Sequence, residues 1–492
     1  MAVDLPPVLP PQAGVLESLP QANSAIAADY GRYRLLISGS ALLDAEQIAE
    51  IVQPAQDLNQ ALALLARAYY AAGYPAAQLI HTSQHQDVHV VVRLNRLSET
   101  QVDAPLTPYF ADLPGETPLR ARALEPRRVL ASLHADRAGL RATPVLRPDG
   151  HGGAQLRLET MPDRTPTQLD LSFDNGGDRY ADRHLAQLEF RTGSRSGDEF
   201  QIGVRSGLDG LNDGRYAAHE LAWSRVTPWG IFGAGARYTD YRQTVAGPVI
   251  EGEFWVGNLH WLTPLYADFD SRWNLQGQLD RSRYRESAAG LLTQDELYSS
   301  AEIASTYHRR EQWLGLAWEL DAAVAARQGL GDETATAAAL DYQLLRPALR
   351  MKLHVGDAAG LTLEASAQFS DDVLPEQQQW VLGGIGNLAS QRPGVAIGDE
   401  GHLLRAVGEL GRYSWQGIEL RPRVFAARGA ARLTGAPDQP MLADAGIELA
   451  LSAYGWLHAG LIRSWRLDER EVSQRALERT EAELLFTLRV GF

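Results

Sequence analysis

Residues 272–280 read Arg272-Trp273-Asn274-Leu275-Gln276-Gly277-Gln278-Leu279-Asp280. Successive side chains of an extended chain point to opposite faces. Arg272, Asn274, Gln276, Gln278 and Asp280 therefore share one face, and Trp273, Leu275, Gly277 and Leu279 share the other. A soluble sandwich also buries one apolar face, but on a shorter repeat. Here the partner face is polar at every position, which is what a water-filled barrel interior requires.

The same texture runs from about Thr165 to the C-terminus, where strands of about ten residues alternate with Gly, Asp and Asn turns. All eleven tryptophans lie in this part, from Trp223 to Trp465, and they suit the aromatic girdles of a membrane barrel. The spacing predicts about sixteen antiparallel strands, at roughly 20 residues per strand and turn. The stretch Thr334–Leu345 is the hardest to divide. In the last segment Leu484, Phe486, Leu488, Val490 and the terminal Phe492 share a face, opposite Glu483, Thr487 and Arg489, with Leu485 the one apolar residue on the inner side. Such an ending resembles the C-terminal signal by which outer-membrane barrels are recognised for insertion.

Hydropathy alone conceals this. A spanning helix needs about 20 mostly apolar residues, and the best candidate, Ala61–Ile80, is interrupted by Arg67 and by Gly73-Tyr74-Pro75. The mean hydropathy of −0.24 averages lipid-facing and lumen-facing residues. A net charge of −15 argues against nucleic acid as a partner. Lys352 is the only lysine among 46 basic residues, a bias expected of GC-rich coding. The absence of cysteine excludes disulfides, thiolate metal sites and cysteine nucleophiles, and suits passage through an oxidising periplasm. Met1-Ala2-Val3-Asp4 runs straight into a Pro-rich stretch without the charged and apolar regions of a leader, so the chain reads as a mature sequence carrying a start Met.

Upstream of the barrel, residues 1–31 carry Pro6, Pro7, Pro10, Pro11 and Pro20 and read as an extended arm. Residues 32–97 form a β-α-α-β-β pattern. A strand Tyr33–Gly39 is followed by a helix capped by Asp44 with Gln47 three residues on, a second helix Leu58–Ala72 ended by Gly73 and Pro75, and a closing pair of strands in which Val88, Val90, Val92 and Leu94 alternate. This pattern, with its Gly-Tyr-Pro break, resembles a POTRA domain. Residues 98–164 resemble a second, looser copy: a helix near Pro126–Ala135, the element Leu146-Arg147-Pro148, the turn Gly150–Gly153 and the strand Ala154–Glu159.

Two POTRA-like α+β domains before a barrel at 165–492 resemble the two-partner secretion transporters, the TpsB class. That resemblance implies an outer-membrane protein whose partners are a large secreted adhesin- or hemolysin-like exoprotein, the barrel-assembly machinery during biogenesis and outer-membrane lipid. It also implies a long inward-folded loop, placed here at 383–402. The frame of that loop is present in Leu382-Gly383-Gly384-Ile385-Gly386 and Gly398-Asp399-Glu400-Gly401, and Arg405…Glu409-Leu410 resembles the strand that follows. The family's Val-Arg-Gly-Phe position is occupied by Leu388-Ala389-Ser390-Gln391, so its arginine is missing. The wall motif Phe-x-Asp-x-Gly is matched by Phe425, Ala427 and Gly429, so its aspartate is missing too. Removing one partner of a buried pair costs about 3–5 kcal/mol, whereas removing both can be near neutral. We therefore expect the loop to remain in the lumen by other contacts, with Arg392 pairing a wall acid such as Glu409.

Little else suggests chemistry. His81, His85 and His89 recur every four residues, but Gln84–Asp87 reads as a turn that separates them. Asp174-Asn175-Gly176-Gly177-Asp178 reads as a hairpin turn rather than a calcium loop. No Gly-x-Ser-x-Gly elbow and no phosphate-binding loop occurs. The reading is a transporter, not an enzyme, with no catalytic residue, cofactor or metal. The alternatives are a barrel-assembly factor and a porin-like channel.

Overall fold

The computed structural model describes residues 26–39, 42–84, 86–115, 117–149, 153–177, 183–208, 215–244, 249–313, 316–334, 338–356, 358–482 and 484–492. The first domain is a four-stranded sheet under two helices. Ile26–Tyr30 pairs antiparallel with Tyr33–Ser38, which lies parallel to Asp87–Leu94, and Ala77–Gln84 takes the far edge. The arm is therefore shorter than the sequence suggested, because Ile26–Tyr30 already belongs to the sheet. Helix α1 (Ala45–Val52) is capped as expected: the Gln47 amide donates to Asp44 Oδ1 at 2.9 Å and the Asp44 amide to Gln47 Oε1 at 3.0 Å. Helix α2 (Leu58–Ala71) ends at Gly73, whose φ of +90° suits glycine. Both helices bury Ile48, Leu62, Leu65 and Tyr69 against Leu35, Ile37, Val88 and Val90.

The second domain opens with Arg96–Gln101, so the boundary drawn at residue 97 falls inside a strand. It has one long helix, α3 (Ala121–Arg137), preceded by a 3-10 turn at Thr107–Tyr109. Its sheet places Gly153–Pro162 between Arg96–Gln101 and Leu140–Pro148. The two domains meet where the Ala121 amide donates to the Gly73 carbonyl.

The remaining chain closes into an antiparallel barrel of sixteen strands, Tyr413–Trp415 continuing Glu400–Glu409 as one of them. Closure joins Thr487–Gly491 of the last strand to Asp170–Asp174 of the first, which leaves no open barrel edge. Trp273 and Leu279 are exposed on the outer wall, as the opening alternation requires, while Asp280 is buried inward against Arg327, which also pairs with Glu302. The stretch Thr334–Leu345 divides between a strand ending at Thr334 and another beginning at Gln343.

The second domain is seated on the neighbouring barrel turns. Tyr109 donates to the Val226 carbonyl at 3.0 Å, His134 Nε2 lies 2.9 Å from the Arg195 carbonyl, and Arg137 donates to the carbonyls of Gly197 at 2.9 Å and Ser224 at 3.1 Å. Gly193 and Gly197 permit this approach, since a Cβ on either would strike Arg137 or His134. The first domain touches the barrel through Tyr70, stacked on Phe269 at 3.8 Å between ring centres. On the closing hairpin of that domain, register places His81 opposite Val90 and His89 opposite Thr82, hence on opposite faces. His85 lies outside the described residues, as does Asp178 of the Asp174–Asp178 turn.

Candidate functional site: the lumen loop and its wall

Between strands Ala359–Gln368 and Glu400–Glu409 the chain makes a long excursion, 369–399, that turns back into the barrel. Its stem is a short ladder, Trp380–Leu382 with Ala396–Gly398. The motif glycines explain themselves by what a side chain would meet. A Cβ on Gly383 would lie 2.2 Å from the Arg392 carbonyl, one on Gly398 would meet the Arg432 backbone, and one on Gly401 would meet the Trp380 indole at 2.0 Å. Gly383 and Gly384 have φ near +100°, the left-handed region in which a Cβ is costly.

Asp399 fastens the base. It is almost fully buried, and its carboxylate accepts from the Leu374 amide at 2.9 Å and the Thr434 amide at 2.8 Å. Its own carbonyl accepts from Gln368 Nε2, whose Oε1 accepts from Arg346 Nε. One residue thus ties the loop to the following loop and to two wall strands. Glu400 begins the next strand and pairs with Arg432 at 2.5 Å.

At the tip, Leu388, Ala389, Ser390 and Gln391 are all buried. Leu388 packs with Leu382, Val395, Ala427, Leu442 and Leu477. Ala389 packs with Phe425, Ile462, Ala482 and Leu485. Phe425 is the eighth residue of a fifteen-residue strand, Ile418–Arg432, so the tip descends on the order of 20 Å from the barrel rim at about 3.3 Å per residue. Leu485, the one apolar inward residue of the last strand, is part of the seat for this tip. Its outward neighbours Leu484 and Leu488 are exposed, and Phe486 meets Phe173 of the first strand at 5.3 Å between ring centres. Val490 pairs with Leu171, and Phe492 with Leu169 through two main-chain hydrogen bonds. Gly429 lies under Leu382, and Phe425 in turn fills the space over Gly446, where a Cβ would reach its ring at 2.5 Å.

An acid stands next to Ala427, where the resemblance to the secretion transporters implies that one is missing. Asp444, on strand Met441–Ala453, is the register partner of Ala427 and is 1% exposed. Its Oδ2 accepts from the Ser390 amide at 2.9 Å. A buried acid on the neighbouring strand thus holds the tip through a main-chain N–H. Neither partner was identified from the sequence, although a signal was present: Asp444 is the only ionisable residue in the run Met441–Ile447.

The other side of the tip is held by the segment before the last strand, which follows helix α4 (Gln474–Thr480). The Ala482 amide donates to the Ser390 carbonyl at 3.1 Å, the Arg392 amide to the Thr480 carbonyl at 2.6 Å, and Thr480 Oγ1 to Gln391 Oε1 at 2.7 Å. Arg392 also donates through Nη2 to the Glu481 carbonyl at 3.3 Å. The expected pairing of Arg392 with Glu409 is therefore not made: Glu409 ends its strand opposite Gly360 and Arg423, next to the small-domain end of the barrel. Below the tip, the inner wall carries a connected ion ladder. Arg405 reaches Glu364 at 3.1 Å and Glu448 at 3.9 Å, Glu448 reaches Arg423 at 2.9 Å, and the Arg405 guanidinium stands 5.3 Å from the Phe425 ring centre.

A family model for haemolysin secretion/activation proteins of the ShlB/FhaC/HecB type matches residues 152–451. The chain belongs to that family. Its function is accordingly secretion of a partner protein across the outer membrane. Among solved structures, CdiB from Escherichia coli matches with a TM-score of 0.71 at 15% identity, covering 99% of this chain and 94% of that one. CdiB from Acinetobacter baumannii matches with a TM-score of 0.64 at 12% identity, covering 98% and 94%. A BamA from Haemophilus ducreyi lacking POTRA domains 1–3 matches with a TM-score of 0.50 at 10% identity, covering 95% and 100%. At these identities the likeness is one of fold. No curated protein sequence matches the chain.

Proposed function

We propose that the two small domains stand in the periplasm, that they capture an unfolded adhesin- or hemolysin-like client by adding it as a strand to a sheet edge, and that loop 369–399 is the plug that must leave its seat for the client to pass. The observation that carries this is the state of the four sheet edges. Leu140–Pro148 is blunted by Pro144 and Pro148, which lack N–H donors. On Arg96–Gln101 the Leu97 carbonyl is already taken by the Gly115 amide, and Arg96 bridges Pro118. Ile26–Tyr30 is only five residues long. Ala77–Gln84 is eight residues long, carries no Pro, Gly or acid, and is the register partner of one strand only.

An edge of that kind offers main-chain hydrogen bonds to any extended chain, which suits a transporter tolerant of client sequence. Insertion of the barrel is assigned to the barrel-assembly machinery reading Leu484, Phe486, Leu488, Val490 and Phe492, with outer-membrane lipid against that face. The test replaces Ser83 by proline, removing an edge donor at the open strand: its register partner Val88 turns its main-chain groups toward Tyr33–Ser38, so the Ser83 N–H faces the free edge. The expected result is loss of client cross-linking to the first domain with the barrel still inserted, and undiminished cross-linking overturns the assignment of this edge. A barrel-assembly role instead predicts that depletion of the protein lowers the level of other outer-membrane barrels.

A further inference from the structure

We propose that the outer wall of the barrel, at the end away from the small domains, binds the phosphates of a phosphorylated glycolipid of the outer leaflet. The proposal rests on the reading that the small domains face the periplasm. On strand Ser271–Ala288 the outward positions run Trp273, Leu275, Gly277, Leu279 and then, without a polar neutral step, Arg281, Arg283 and Arg285. Register places Arg283 beside Trp255, and Trp255 beside Tyr238, so the cationic row begins at the level of an aromatic girdle where headgroups lie. Arg242 and Arg215 continue the row on the second and third strands before it.

These arginines are held in an ordered array by acids on the same surface. Arg215 pairs with Asp240, Arg242 with Glu251 at 3.4 Å, Arg285 with Glu253 at 3.6 Å and Asp295 at 3.2 Å, and Arg283 with Asp295 at 3.4 Å. A guanidinium carries five N–H donors and a carboxylate occupies at most two of them. At Arg215 and Arg242 the remainder face solvent, their side chains being 71% and 53% exposed. Between Arg215, Arg242 and Arg285, together with their partner acids Asp240, Glu251 and Glu253 and with Glu286, lies an open cavity of about 710 Å³, within the size range of sites that seat a small headgroup. A chain whose net charge is −15 gathers five arginines against their four paired carboxylates here, at the height of lipid phosphates. Charge complementarity and position select the same occupant.

The test uses the full chain in detergent, with bis-phosphorylated lipid A and its dephosphorylated form as probes. Each basic residue near a charged lipid surface contributes about fivefold, so the triple variant Arg242→Gln, Arg283→Gln, Arg285→Gln should bind the phosphorylated probe roughly a hundredfold more weakly. Arg428→Gln, elsewhere on the outer wall, should bind as the parent does, and both should keep the heat-dependent gel shift of a closed barrel. Equal binding of the two probes by the parent, or undiminished binding by the folded triple variant, overturns the proposal. So does binding abolished by EDTA yet unaffected by the triple change, which assigns the site to cation-bridged carboxylates. Orientation is checked separately: Leu291→Cys, in a chain without cysteine, should react with an impermeant maleimide on intact cells. Failure there refutes the orientation, and the binding result in detergent stands or falls on its own.

Discussion

Replacing Asp444 by alanine tests how the loop is held. The change removes the acceptor of the Ser390 amide, which sits at 2.9 Å in a site where both residues are buried. A hydrogen bond to a charged acceptor contributes about 1.5–3 kcal/mol, and stranding the donor costs a similar amount, the two being views of one loss. Relief of the buried carboxylate offsets part of this. A net weakening of about 2 kcal/mol shifts the docked-to-undocked ratio of the tip roughly thirtyfold. In planar bilayers the variant should therefore show brief openings about thirtyfold more often than the parent. Asp444→Asn keeps an oxygen toward Ser390 and loses only the charge, so about 1 kcal/mol and a fivefold change are expected. Because Leu388, Ala389 and Leu485 still pack, the loop should not leave permanently. If Asp444→Ala opens no more often than the parent while remaining a folded barrel, the Ser390–Asp444 contact is not what retains the tip.

Three further outcomes follow from the same contacts. Ala389→Arg should be tolerated in the parent, because Asp444 stands beside Ala427 to receive the guanidinium, yet in an Asp444→Ala background it should destabilise the barrel by about 3–5 kcal/mol as an unpaired buried charge, read as a fall in thermal midpoint. Arg137→Ala removes hydrogen bonds to Gly197 and Ser224 and should expose the linker near residue 165 to limited proteolysis without changing the barrel. Gly401→Ala places a methyl 2.0 Å from the Trp380 indole and should displace the loop stem, seen as a red shift in tryptophan emission together with a larger resting conductance.

The barrel was legible because alternation is local: Trp273 and Leu279 outside, Asp280 inside, and the terminal strand all follow from a period of two. The capping box at Asp44–Gln47 and the stop at Gly73 were legible for the same reason. What escaped depends on register between distant segments. Nothing in the sequence near Ala427 announces that Asp444 lies directly across from it, since that pairing is set by the hairpin 433–440. The seat formed by Thr480–Ala482 was missed because helix α4 lies between strands rather than within the motif. Arg392 was assigned a carboxylate partner on proximity in sequence to the motif, whereas the fold gives it the main-chain carbonyls of Thr480 and Glu481 beside the tip. The helix of the second domain is expected near Pro126–Ala135 but runs from Ala121: Pro126 sits in its second turn, and a proline within a helix hides the N-terminal end from a sequence reading.

The central claim is that the seated loop blocks the path of the secreted partner and must move. A cysteine pair, Ser390→Cys with Asp444→Cys, tests it in an otherwise cysteine-free chain. The amount of partner protein released into the medium is measured under oxidising conditions and again after reduction. The account predicts that release stops when the disulfide forms and resumes when it is reduced. Undiminished release with the disulfide fully formed contradicts it.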